Sequence, residues 1–566
     1  MIKTHRVTHA KRFTVSRLGA VFASLAIGLL TSQAQALATT SDGQQSQPSS
    51  QLEKQASGQP NIVLFLVDDM GWQDTSLAFT AQPTPANQHF RTPNMEALAA
   101  KGVKFTQAYS HAVCSPSRVS LMTGQNPTRH HVSNWTKLPD IDHSGSWGPN
   151  AAPRDWRTEG LQPNDVTLAK TLQQAGYHTI HVGKAHFGAY GTRGAEPKNL
   201  GFDVNIAGHA AGAPASYWGE KNFGNGMDGA EGLPQGVPGL AEYHQQKVHL
   251  TDVLTEKAKQ EISKAQQTGK PFFLNMAYYA VHTPIEAHQR LVKHYQNKTY
   301  EGTDIDIPVV EENYASLVEG MDDSVGGVLA HLEALGIAEN TLVVFTSDNG
   351  GLSGHSRQTT PRGTELNSHN WPLHSGKGSA YEGGTRVPYI VAWAKPDQQA
   401  AMQQALPIAV NKMSYQQVMI EDLFPTLVAV ADAKQHLPQG YPLDGMDTRQ
   451  FWQATDKRVM RPVVFHYPHV WGPHGPGYEP HSAMRLGDWK VIYLYNSRTW
   501  LLYDLATDLT EQHNLAERYP VKLAQLASRL KQELESMDVQ WPVNRVTDKD
   551  EEMKLPQGSE NLLAQH

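Results

Sequence analysis

Residues 61–71 read Asn-Ile-Val-Leu-Phe-Leu-Val-Asp-Asp-Met-Gly, and this stretch decides the predicted fold. Residues 62–67 are apolar at every position and have the length of a β-strand. Such a run predicts a strand buried on both faces, as in a parallel sheet covered by helices on each side. The run ends at Asp68 and Asp69. Taken alone, these two carboxylates are explained equally well by a turn or helix cap and by a metal site.

A second apolar run, residues 341–347, also ends in polar residues, Asp348 and Asn349. In open α/β sheets, ligands bind beyond the carboxyl ends of the strands, so two neighbouring strands would bring the two polar pairs together. Carboxylate and amide oxygens suit Ca²⁺ or Mg²⁺, and Ca²⁺ is preferred because it tolerates irregular coordination. The sequence therefore predicts one metal site built from Asp68, Asp69, Asp348 and Asn349.

The chain between and around these runs alternates helical and extended patterns. Helical spacing is found at residues 94–101, 166–175, 251–267 and 314–335, and strand patterns at residues 103–109, 177–182 and 272–279. This alternation is typical of an α/β domain with a large, mostly parallel central sheet flanked by helices. A chain of 566 residues, 39% of them hydrophobic, is long enough for a large core and for two structural units.

The pattern changes after about residue 447. Short strands are predicted at residues 463–467, 483–486, 490–495 and 501–504, followed by a helix at residues 521–537 with leucines at core spacing. This predicts a small antiparallel sheet packed against one helix. We therefore expect a catalytic α/β domain at residues 61–447, an α+β subdomain at 448–545 and a loose, charged tail at 546–566.

The first 38 residues are typical of a secretory signal peptide. They contain five basic residues and an apolar run at 18–30 that is too short to span a membrane. Residues 39–60, rich in Ser, Gln and Gly, predict a flexible leader. The mature protein is therefore expected to be periplasmic or secreted, without stable membrane insertion. Loss of the five basic residues takes the formal charge from -7 to -12, which disfavours a nucleic-acid partner.

Cys114 is the only cysteine of the sequence, and residues 111–118 around it read His-Ala-Val-Cys-Ser-Pro-Ser-Arg. A lone cysteine is most often a buried structural residue. Ser115, however, suits a helix cap and Pro116 a first helical turn, which predicts that Cys114 lies just outside a helix N-terminus. Free backbone N–H groups there, with Arg118 one turn further on, would favour an anionic substrate group beside the thiol.

Further polar residues follow strands or lie in glycine-rich turns. Lys184 and His186 follow the strand at 177–182, and together they are better candidates for anion contacts than either residue alone. Lys377 lies between two glycines, which allow a ligand to approach the backbone closely, although Gly-Lys-Gly-Ser lacks the spacing of a Walker A motif. Glu382 and Arg386, four residues apart, are predicted to pair structurally.

These motifs together resemble the type I sulfatases of the alkaline phosphatase superfamily. The likeness is specific at residues 67–71, 92–94, 114–118, 183–186, 282–284, 347–350 and 376–379. It implies an alkaline-phosphatase-like fold and a sulfuric ester hydrolase. It also implies that a maturation enzyme oxidises Cys114 to formylglycine. The hydrated aldehyde supplies two hydroxyl groups, one to attack sulfur and one whose deprotonation expels sulfate.

The resemblance also implies a role for each matching residue. The ligands of one Ca²⁺ would be the modified Cys114 together with Asp68, Asp69, Asp348 and Asn349. Arg118 and Lys184 would steady the diol and the sulfate. Lys377 and His282 would hold the sulfate and assist the leaving alcohol. His186 would be the base that releases sulfate from the enzyme.

Three alternatives are open at this point. A phosphate or phosphonate monoester hydrolase of the same superfamily would share the oxyanion chemistry and the metal ligation. An arylsulfatase would act on small sulfate esters with the same site. A chain in which Cys114 is never oxidised would instead bind sulfated glycans without hydrolysing them. The intact Cys-Ser-Pro-Ser-Arg motif and the set of acid and base residues favour the sulfatase.

The substrate prediction depends on residues outside these motifs. Residues 201–238, rich in Gly, Ala, Asn and aromatic residues, predict a long ordered loop of the kind that often carries specificity. Aromatic and neutral hydrogen-bonding rings suit sugars. The substrate-binding candidates are His209, His355 and Arg357 beside Lys184, His282 and Lys377, and similar residues are Trp218, Trp371, His466, His469, Trp471, His474 and His481.

Residues 201–209 also resemble carbohydrate-acting bacterial sulfatases, including a group active on galactose sulfates. We therefore expect the substrate to be a sulfated polysaccharide or its oligosaccharides, with a sulfated galactan such as carrageenan as the first choice.

Overall fold

A computed structural model of the protein describes residues 58–226, 232–299, 306–353, 357, 369–453, 456, 458–472 and 475–560. All of these residues belong to one unit, Gln55–His566. The predicted signal peptide, the leader up to residue 57, His355 and His474 lie outside the described residues. Within the described ranges, no helix combines the length and the apolarity needed to cross a bilayer.

The apolar run at residues 62–67 lies in strand β1 (Asn61–Val67), which is buried along its whole length. Successive side chains of a strand point to opposite faces, so β1 contributes to two cores. One core receives Val63, Phe65 and Val67, and the other receives Ile62, Leu64 and Leu66. Each fully buried side chain of this size stabilises the fold by roughly 1.5–3 kcal/mol. The predicted strand, buried on both faces, is confirmed.

The strands form three sheets. The nine-stranded sheet contains β1, β2 (Gly102–Tyr109), β4 (His178–Gly183), β5 (Val204–Ile206), β6 (Phe272–Ala277), β7 (Thr341–Ser347), β8 (Arg386–Val387), β9 (Tyr389–Trp393) and β10 (Lys412–Met419). A four-stranded sheet contains β11 (Val463–Tyr467), β12 (His481–Leu486), β13 (Trp489–Leu494) and β14 (Thr499–Asp504). A three-stranded sheet contains β3 (Asn150–Ala151), β15 (Val543–Asn544) and β16 (Lys549–Asp550).

The large sheet is mostly parallel. Its order is β10-β2-β9-β7-β1-β6-β4-β5, with β8 paired to β2. Strand β1 is parallel to both of its neighbours, β6 and β7, and β4 is parallel to β5 and β6. Strand β9 runs antiparallel between β2 and β7, so β2 points in the same direction as β7. The carboxyl ends of β1, β2, β4, β6 and β7 therefore lie at one edge of the sheet.

Helices cover both faces of this sheet. The α-helices are α1 (Pro85–His89), α2 (Pro93–Ala100), α3 (Cys114–Thr123), α4 (Pro127–His130), α5 (Leu168–Gln174), α6 (Leu250–Gln267), α7 (Val309–Ala334), α8 (Glu382–Thr385), α9 (Ala401–Ala405), α10 (Leu423–Val430) and α11 (Pro520–Ser536). Short 3-10 helices span Arg193–Ala195, Pro197–Leu200, Gly219–Gly224, Ala241–Tyr243, Val292–His294, Ala338–Asn340, Ile420–Asp422, Lys434–His436 and Arg449–Phe451. Helices α2, α6 and α7 pack into one core, and α3, α5 and α10 into the other. The predicted α/β architecture is confirmed.

The four-stranded antiparallel sheet forms the C-terminal part of the fold. Helix α11 presents its leucines to one face of this sheet, the buried set being Leu523, Leu526, Leu530 and Leu534. The spacing of three and four residues places them on one side of the helix. The other face of the sheet packs against the large domain, where Phe465 and Ile492 join Tyr109 and Tyr381. The predicted antiparallel sheet with one helix is confirmed.

The stretch expected to be a loose tail is anchored at single positions up to Ser559, although residues 546–550 are exposed. Met553 is 2% exposed and lies in the same core as the α11 leucines. Trp500 Nε1 donates a hydrogen bond to Lys554 O at 2.9 Å. The prediction was wrong here because the charged composition hid a single apolar anchor, and because β16 in this stretch pairs with β15, which itself pairs with β3 about 390 residues earlier in the chain.

Buried charges join the large sheet to the C-terminal sheet. Glu382, in α8, is fully buried and its carboxylate lies 3.0 Å from Lys490 Nζ and 3.2 Å from Arg386 Nη1. Lys490 Nζ in turn lies 2.8 Å from Glu511 Oε1. The predicted pairing of Glu382 with Arg386 is confirmed. Because α8 closely follows the turn that carries Lys377, these ion pairs hold that turn against the C-terminal sheet.

We expect Glu382→Ala to lower the free energy of unfolding by about 3–5 kcal/mol, since the variant leaves cations buried without their carboxylate. The control is Glu339→Ala, which removes an exposed ion pair with Lys395 and should have a much smaller effect, because solvent screens that pair. Urea denaturation of both variants measures the difference. Equal losses in the two variants would contradict the role assigned to the buried charges.

Candidate active site

The two polar pairs predicted to meet do meet at the carboxyl edge of the large sheet. Val67 pairs with Ser347 in register, so the residues that follow each strand are neighbours. Asp69 N donates to Asp348 Oδ1 at 3.2 Å, and Asn349 Nδ2 donates to Asp69 Oδ1 at 2.8 Å. All four side chains are 0% exposed. Asp69 also has a φ of 62°, a left-handed conformation that is uncommon for a residue with a Cβ and is often found at functional sites.

Cys114 is the first residue of α3, which follows β2 at the same edge. Its Sγ lies 3.6 Å from Asp68 Oδ1 and 3.9 Å from Asp69 Oδ1. The expectation that Ser115 caps the helix was wrong: the cap residue is Val113, and Ser115 Oγ accepts a hydrogen bond from Thr136 N at 3.1 Å. Sequence spacing alone does not separate a cap from a first-turn residue. The thiol nevertheless lies next to the free backbone N–H groups of a helix N-terminus, as predicted, because Cys114 is the first residue of α3.

Three buried cations surround the carboxylates. Lys184 Nζ lies 2.7 Å from both oxygens of Asp68, and Lys377 Nζ lies 2.6 Å from Asp69 Oδ1. Arg118 Nε donates to Asp348 Oδ2 at 2.7 Å. Lys377 Nζ is also 3.1 Å from Cys114 Sγ. The three carboxylates and three cations balance, so the protein groups alone give this site no net charge when all are ionised.

Burial and these pairs shift the pKa values in different directions. Burial raises the pKa of Asp68 well above its ordinary value, and Lys184 only partly offsets this. Burial acts in the same direction on Asp69, but Lys377 and His282 bring its pKa below the ordinary value. Burial acts to lower the pKa of Lys377, and the Asp69 carboxylate raises it above the ordinary value. Asp69 and Lys377 therefore form a persistent ion pair next to the thiol.

The donor set fits a hard divalent cation. Asp68, Asp69, Cys114 and His282 each present a ligand atom within 4.8 Å of the others. Asp69 Oδ2 and Asn349 Oδ1 are buried and accept no hydrogen bond in the described structure. Buried oxygens without a hydrogen-bond donor are costly unless a cation or water contacts them. Carboxylate and amide oxygens are the ligands that Ca²⁺ and Mg²⁺ prefer, so the residues present suit such an ion.

His186 is held as a neutral ring with one free lone pair. Its Nε2 lies 2.8 Å from Thr136 O, and since a carbonyl only accepts, Nε2 carries the proton and Nδ1 has the lone pair. Nδ1 is buried without a hydrogen-bond partner in the described structure. Burial, reinforced by Lys184, lowers the pKa of His186 well below its ordinary value. Gly212 packs against the ring, where a Cβ would lie 2.5 Å from His186 Cε1.

His282 lies in the loop after β6 and lines the same pocket as His186. Its Nε2 is 3.4 Å from Asp69 Oδ2, and its Nδ1 is 2.9 Å from Thr283 O. The bond to a carbonyl places a proton on Nδ1 and leaves Nε2 directed to the site. Burial lowers the pKa of His282, although Asp69 acts in the opposite direction.

These groups lie at the base of a pocket of about 260 Å³. Cys114, His186, His282 and Lys377 line its floor. The loop at residues 201–238 supplies a wall of small residues, Ala210 to Ala213, and also Gln235. The rest of the lining consists of three aromatic residues, Trp135, Tyr190 and Trp471, together with Val113, Thr136 and Lys137.

Several substrate-binding candidates do not face this pocket. The Arg357 guanidinium is 1% exposed, forms a two-point ion pair with Glu311 and lies 4.0 Å above the Tyr314 ring. His209 reaches the site only through its carbonyl oxygen, which accepts from His186 N at 3.0 Å, while its ring lies against Tyr190. His466, His469 and His481 are buried in or beside the C-terminal sheet. These side chains therefore make contacts within the fold and do not line the pocket.

Sequence motifs did not identify most of the pocket wall. Trp135 and Lys137 lie in a stretch with no predicted strand, helix or motif, and Tyr190 lies four residues past His186. Trp471 was among the aromatic residues singled out, and its ring packs on Gly378, where a Cβ would be 2.1 Å from Trp471 Cγ. That glycine has a φ of 85°, so both the close contact and the backbone require it.

Comparison with known proteins gives consistent matches. The sulfatase family model matches residues 60–433. A sulfatase of Formosa agariphila is 31% identical over 528 residues, covering 83% of this chain and 87% of that protein. The N-acetylgalactosamine-6-O-sulfatase of Bacteroides thetaiotaomicron is 27% identical and covers 84% of this chain and 93% of its own. The crystal structure of Ps i-CgsB has a TM-score of 0.65 at 27% identity, covering 84% of this chain and 93% of that one.

The chain therefore belongs to the sulfatase family. The enzyme class predicted from the sequence, a sulfuric ester hydrolase, is confirmed by these relatives. The fold and the resemblance stated from the motifs are confirmed by the same comparisons.

We expect Gly212→Ala to lower kcat by at least about tenfold if His186 is the base that the motifs imply, because the new Cβ displaces its ring and small misplacements of a reacting group are costly. The matched control is Gly327→Ala in α7, whose nearest neighbour would be 3.5 Å away and which should retain activity. Initial rates on an aryl sulfate, with melting temperatures for both variants, test this. Wild-type kcat in Gly212→Ala would show that the ring position does not matter.

Proposed function

We propose that this protein hydrolyses sulfate esters of carbohydrates, using a formylglycine made from Cys114 and one bound Ca²⁺. The observation that carries the proposal is the position of Cys114. The thiol lies at a helix N-terminus on the floor of a pocket, 3.1 Å from Lys377 Nζ and 3.6 Å from Asp68 Oδ1, and heads an intact Cys-Ser-Pro-Ser-Arg. A residue placed this way can receive an anionic group from the pocket and act on it.

The charge balance supports a metal ion as part of the proposal. With carboxylates and protein cations balanced, a sulfate ester would meet a site without net charge. A Ca²⁺ ion held by Asp68, Asp69, Asp348, Asn349 and residue 114 would add two positive charges and polarise the sulfate oxygens. Lys184 and Lys377 now pair with Asp68 and Asp69, and neutralisation of those carboxylates would allow both ammonium groups to contact sulfate.

Residue 114 is the proposed nucleophile. In its hydrated aldehyde form it would offer two hydroxyl groups, one to attack sulfur and one whose deprotonation expels sulfate. Arg118 is fixed by Asp348 and by Lys184 O, which its Nη1 contacts at 2.7 Å. Its buried positive charge would favour negative charge on residue 114 and on the sulfate.

The two histidines are proposed to handle protons on opposite sides of the sulfate. His186 is neutral, with a lone pair on Nδ1, and so is suited to take a proton from residue 114 when sulfate is released. His282 is proposed to give a proton from Nε2 to the departing alcohol oxygen, which requires the doubly protonated ring, a form that the Asp69 carboxylate 3.4 Å from Nε2 favours. Both rings line the same pocket, so both reach a substrate bound there.

The proposal also includes a maturation enzyme and export. A formylglycine-generating enzyme must recognise the motif at residues 114–118 before the chain folds, because Cys114 is 3% exposed in the folded protein. The signal peptide predicted at residues 1–38 directs the protein to the periplasm or the exterior, where sulfated polysaccharides are found.

The pocket and the relatives support a carbohydrate substrate. Aromatic walls from Trp135, Tyr190 and Trp471 suit the apolar faces of sugar rings. One relative is named an N-acetylgalactosamine-6-O-sulfatase. Ps i-CgsB, 27% identical to this chain, is also known in complex with k-i-k-neocarrahexaose. We therefore propose a sulfated galactan such as carrageenan as the first substrate to test.

We expect Cys114→Ala to lose at least about a thousandfold in kcat on every sulfate ester, because the nucleophile is removed. The melting temperature should stay close to that of the wild type, since alanine fills most of the same small space. Rates on an aryl sulfate and on the matching aryl phosphate are measured in parallel. Full activity of the variant would refute the proposed nucleophile, and a wild-type preference for phosphate would refute the sulfatase proposal.

We expect Asp348→Ala to lose both bound Ca²⁺ and activity, because the site loses one carboxylate and Arg118 loses its partner. The control is Asp444→Ala, which removes a partly buried carboxylate paired with Arg129 outside the site and should keep the metal. The measurement is elemental analysis after dialysis, and we expect it to give one Ca²⁺ per chain in the wild type and in the control. One tightly bound Ca²⁺ in Asp348→Ala would contradict the assigned ligand.

We expect the enzyme to release sulfate faster from at least one polysaccharide fragment than from an aryl sulfate. The fragments to test come from carrageenan, ulvan, glycosaminoglycans and fucoidan. Aromatic walls around the thiol would bind such fragments and raise kcat/KM. Ion chromatography of released sulfate is the measurement. Efficient turnover of small aryl sulfates with none of the fragments cleaved would remove the carbohydrate proposal and leave the sulfatase proposal standing.

A further inference from the structure

We propose that Lys137 binds a second anionic group of the substrate, a sulfate or a carboxylate, beside the sulfate ester that is hydrolysed. The inference rests on the proposed function, because it concerns the substrate of that site. It narrows the substrate from a sulfated carbohydrate to one that carries at least two negative charges close together.

Lys137 is held in the wall of the active-site pocket by its neighbours. Thr136 N donates to Ser115 Oγ at 3.1 Å, which ties the segment to the residue after Cys114. Thr136 O accepts from His186 Nε2 at 2.8 Å. Tyr190 N donates to Lys137 O at 2.8 Å. Hydrogen bonds therefore hold the backbone at residues 136 and 137 to the segment after Cys114 and to the segment that carries His186 and Tyr190.

Lys137 differs from the other lysines of the site because no carboxylate of the described residues pairs with it. Lys184 and Lys377 are buried and paired with Asp68 and Asp69. Lys137 is half-buried, and none of the ion pairs found among the described residues includes its ammonium group. The described lining of the pocket contains no acidic residue. Among the described residues, the ammonium group of Lys137 therefore stays available to an incoming anion.

The aromatic neighbours place a sugar ring within reach of this cation. Trp135 and Lys137 flank Thr136, Tyr190 lies beside them, and Trp471 stands on the Lys377 side, its ring 5.6 Å from Lys377 Nζ. A pocket of about 260 Å³ is at the small end of ligand sites, so one sugar with its substituents fills it. The second anion must then be on that sugar or on the next residue.

A general attraction of anions is the competing interpretation. A lysine that only raised the local concentration of anions would increase kcat/KM for every charged substrate, and its effect would vanish in high salt. A lysine that binds a particular second group changes the ratio of kcat/KM between a substrate that carries this group and a substrate that lacks it. That ratio separates the two interpretations.

The experiment uses the full-length mature enzyme and three disaccharides that share one backbone. The first carries one sulfate, the second carries two, and the third carries one sulfate and one carboxylate. We expect kcat/KM of the wild type to be about tenfold higher for the doubly charged compounds, mostly because their KM is lower. This is the size of effect expected from one charge-assisted hydrogen bond in a partly enclosed site. The second and third compounds show whether a sulfate or a carboxylate is the better partner.

Lys137→Met should abolish this preference, and Lys137→Arg should retain it. The matched control is Lys270→Met, which removes the same charge from an exposed position outside the pocket and should behave as the wild type. The preference should persist at an ionic strength that screens long-range attraction. An unchanged ratio in Lys137→Met would overturn the inference and leave the sulfatase intact. Absence of sulfate release from any of the compounds and from an aryl sulfate would instead overturn the proposed function.

Discussion

Three carboxylates buried at one edge of a parallel sheet are the constraint on which the site depends. Asp68, Asp69 and Asp348 are 0% exposed, and such charges are tolerated only when cations and hydrogen bonds surround them. Lys184, Lys377 and Arg118 supply those cations from three other segments of the chain. The same packing brings the Cys114 thiol to 3.1 Å from Lys377 Nζ. Under the proposed mechanism the arrangement would serve folding and chemistry together, since Lys377, which neutralises Asp69, also contacts residue 114.

The central part of this arrangement could be predicted from the sequence because it depends on local pattern and sheet direction. An apolar run ending in Asp-Asp, and another ending in Asp-Asn, define two strands whose ends must meet if the strands are parallel neighbours. They are neighbours, with Val67 opposite Ser347. The predicted start of this helix is two residues late, because Ser115 has the side chain of a cap and yet bonds to Thr136. Only tertiary structure shows which partner a serine hydroxyl takes.

The pocket wall could not be predicted, for a different physical reason. Trp135 and Lys137 line the pocket because Thr136 contacts Ser115 and His186, and these contacts join residues up to 50 positions apart that belong to no repeating pattern. Arg357 illustrates the opposite error. Its charge suggested an anion contact, but Glu311 neutralises it in the core. Charge and aromatic content identify candidates, whereas long-range packing decides which of them reach the ligand.

The mass of the peptide that contains Cys114 tests the central claim most directly. The enzyme is purified in active form from a host with a formylglycine-generating enzyme, digested and analysed by mass spectrometry. The account predicts an aldehyde at residue 114 and a specific activity that rises in proportion to the aldehyde fraction across preparations. Full sulfatase activity in a preparation whose Cys114 is entirely an unmodified thiol would contradict it.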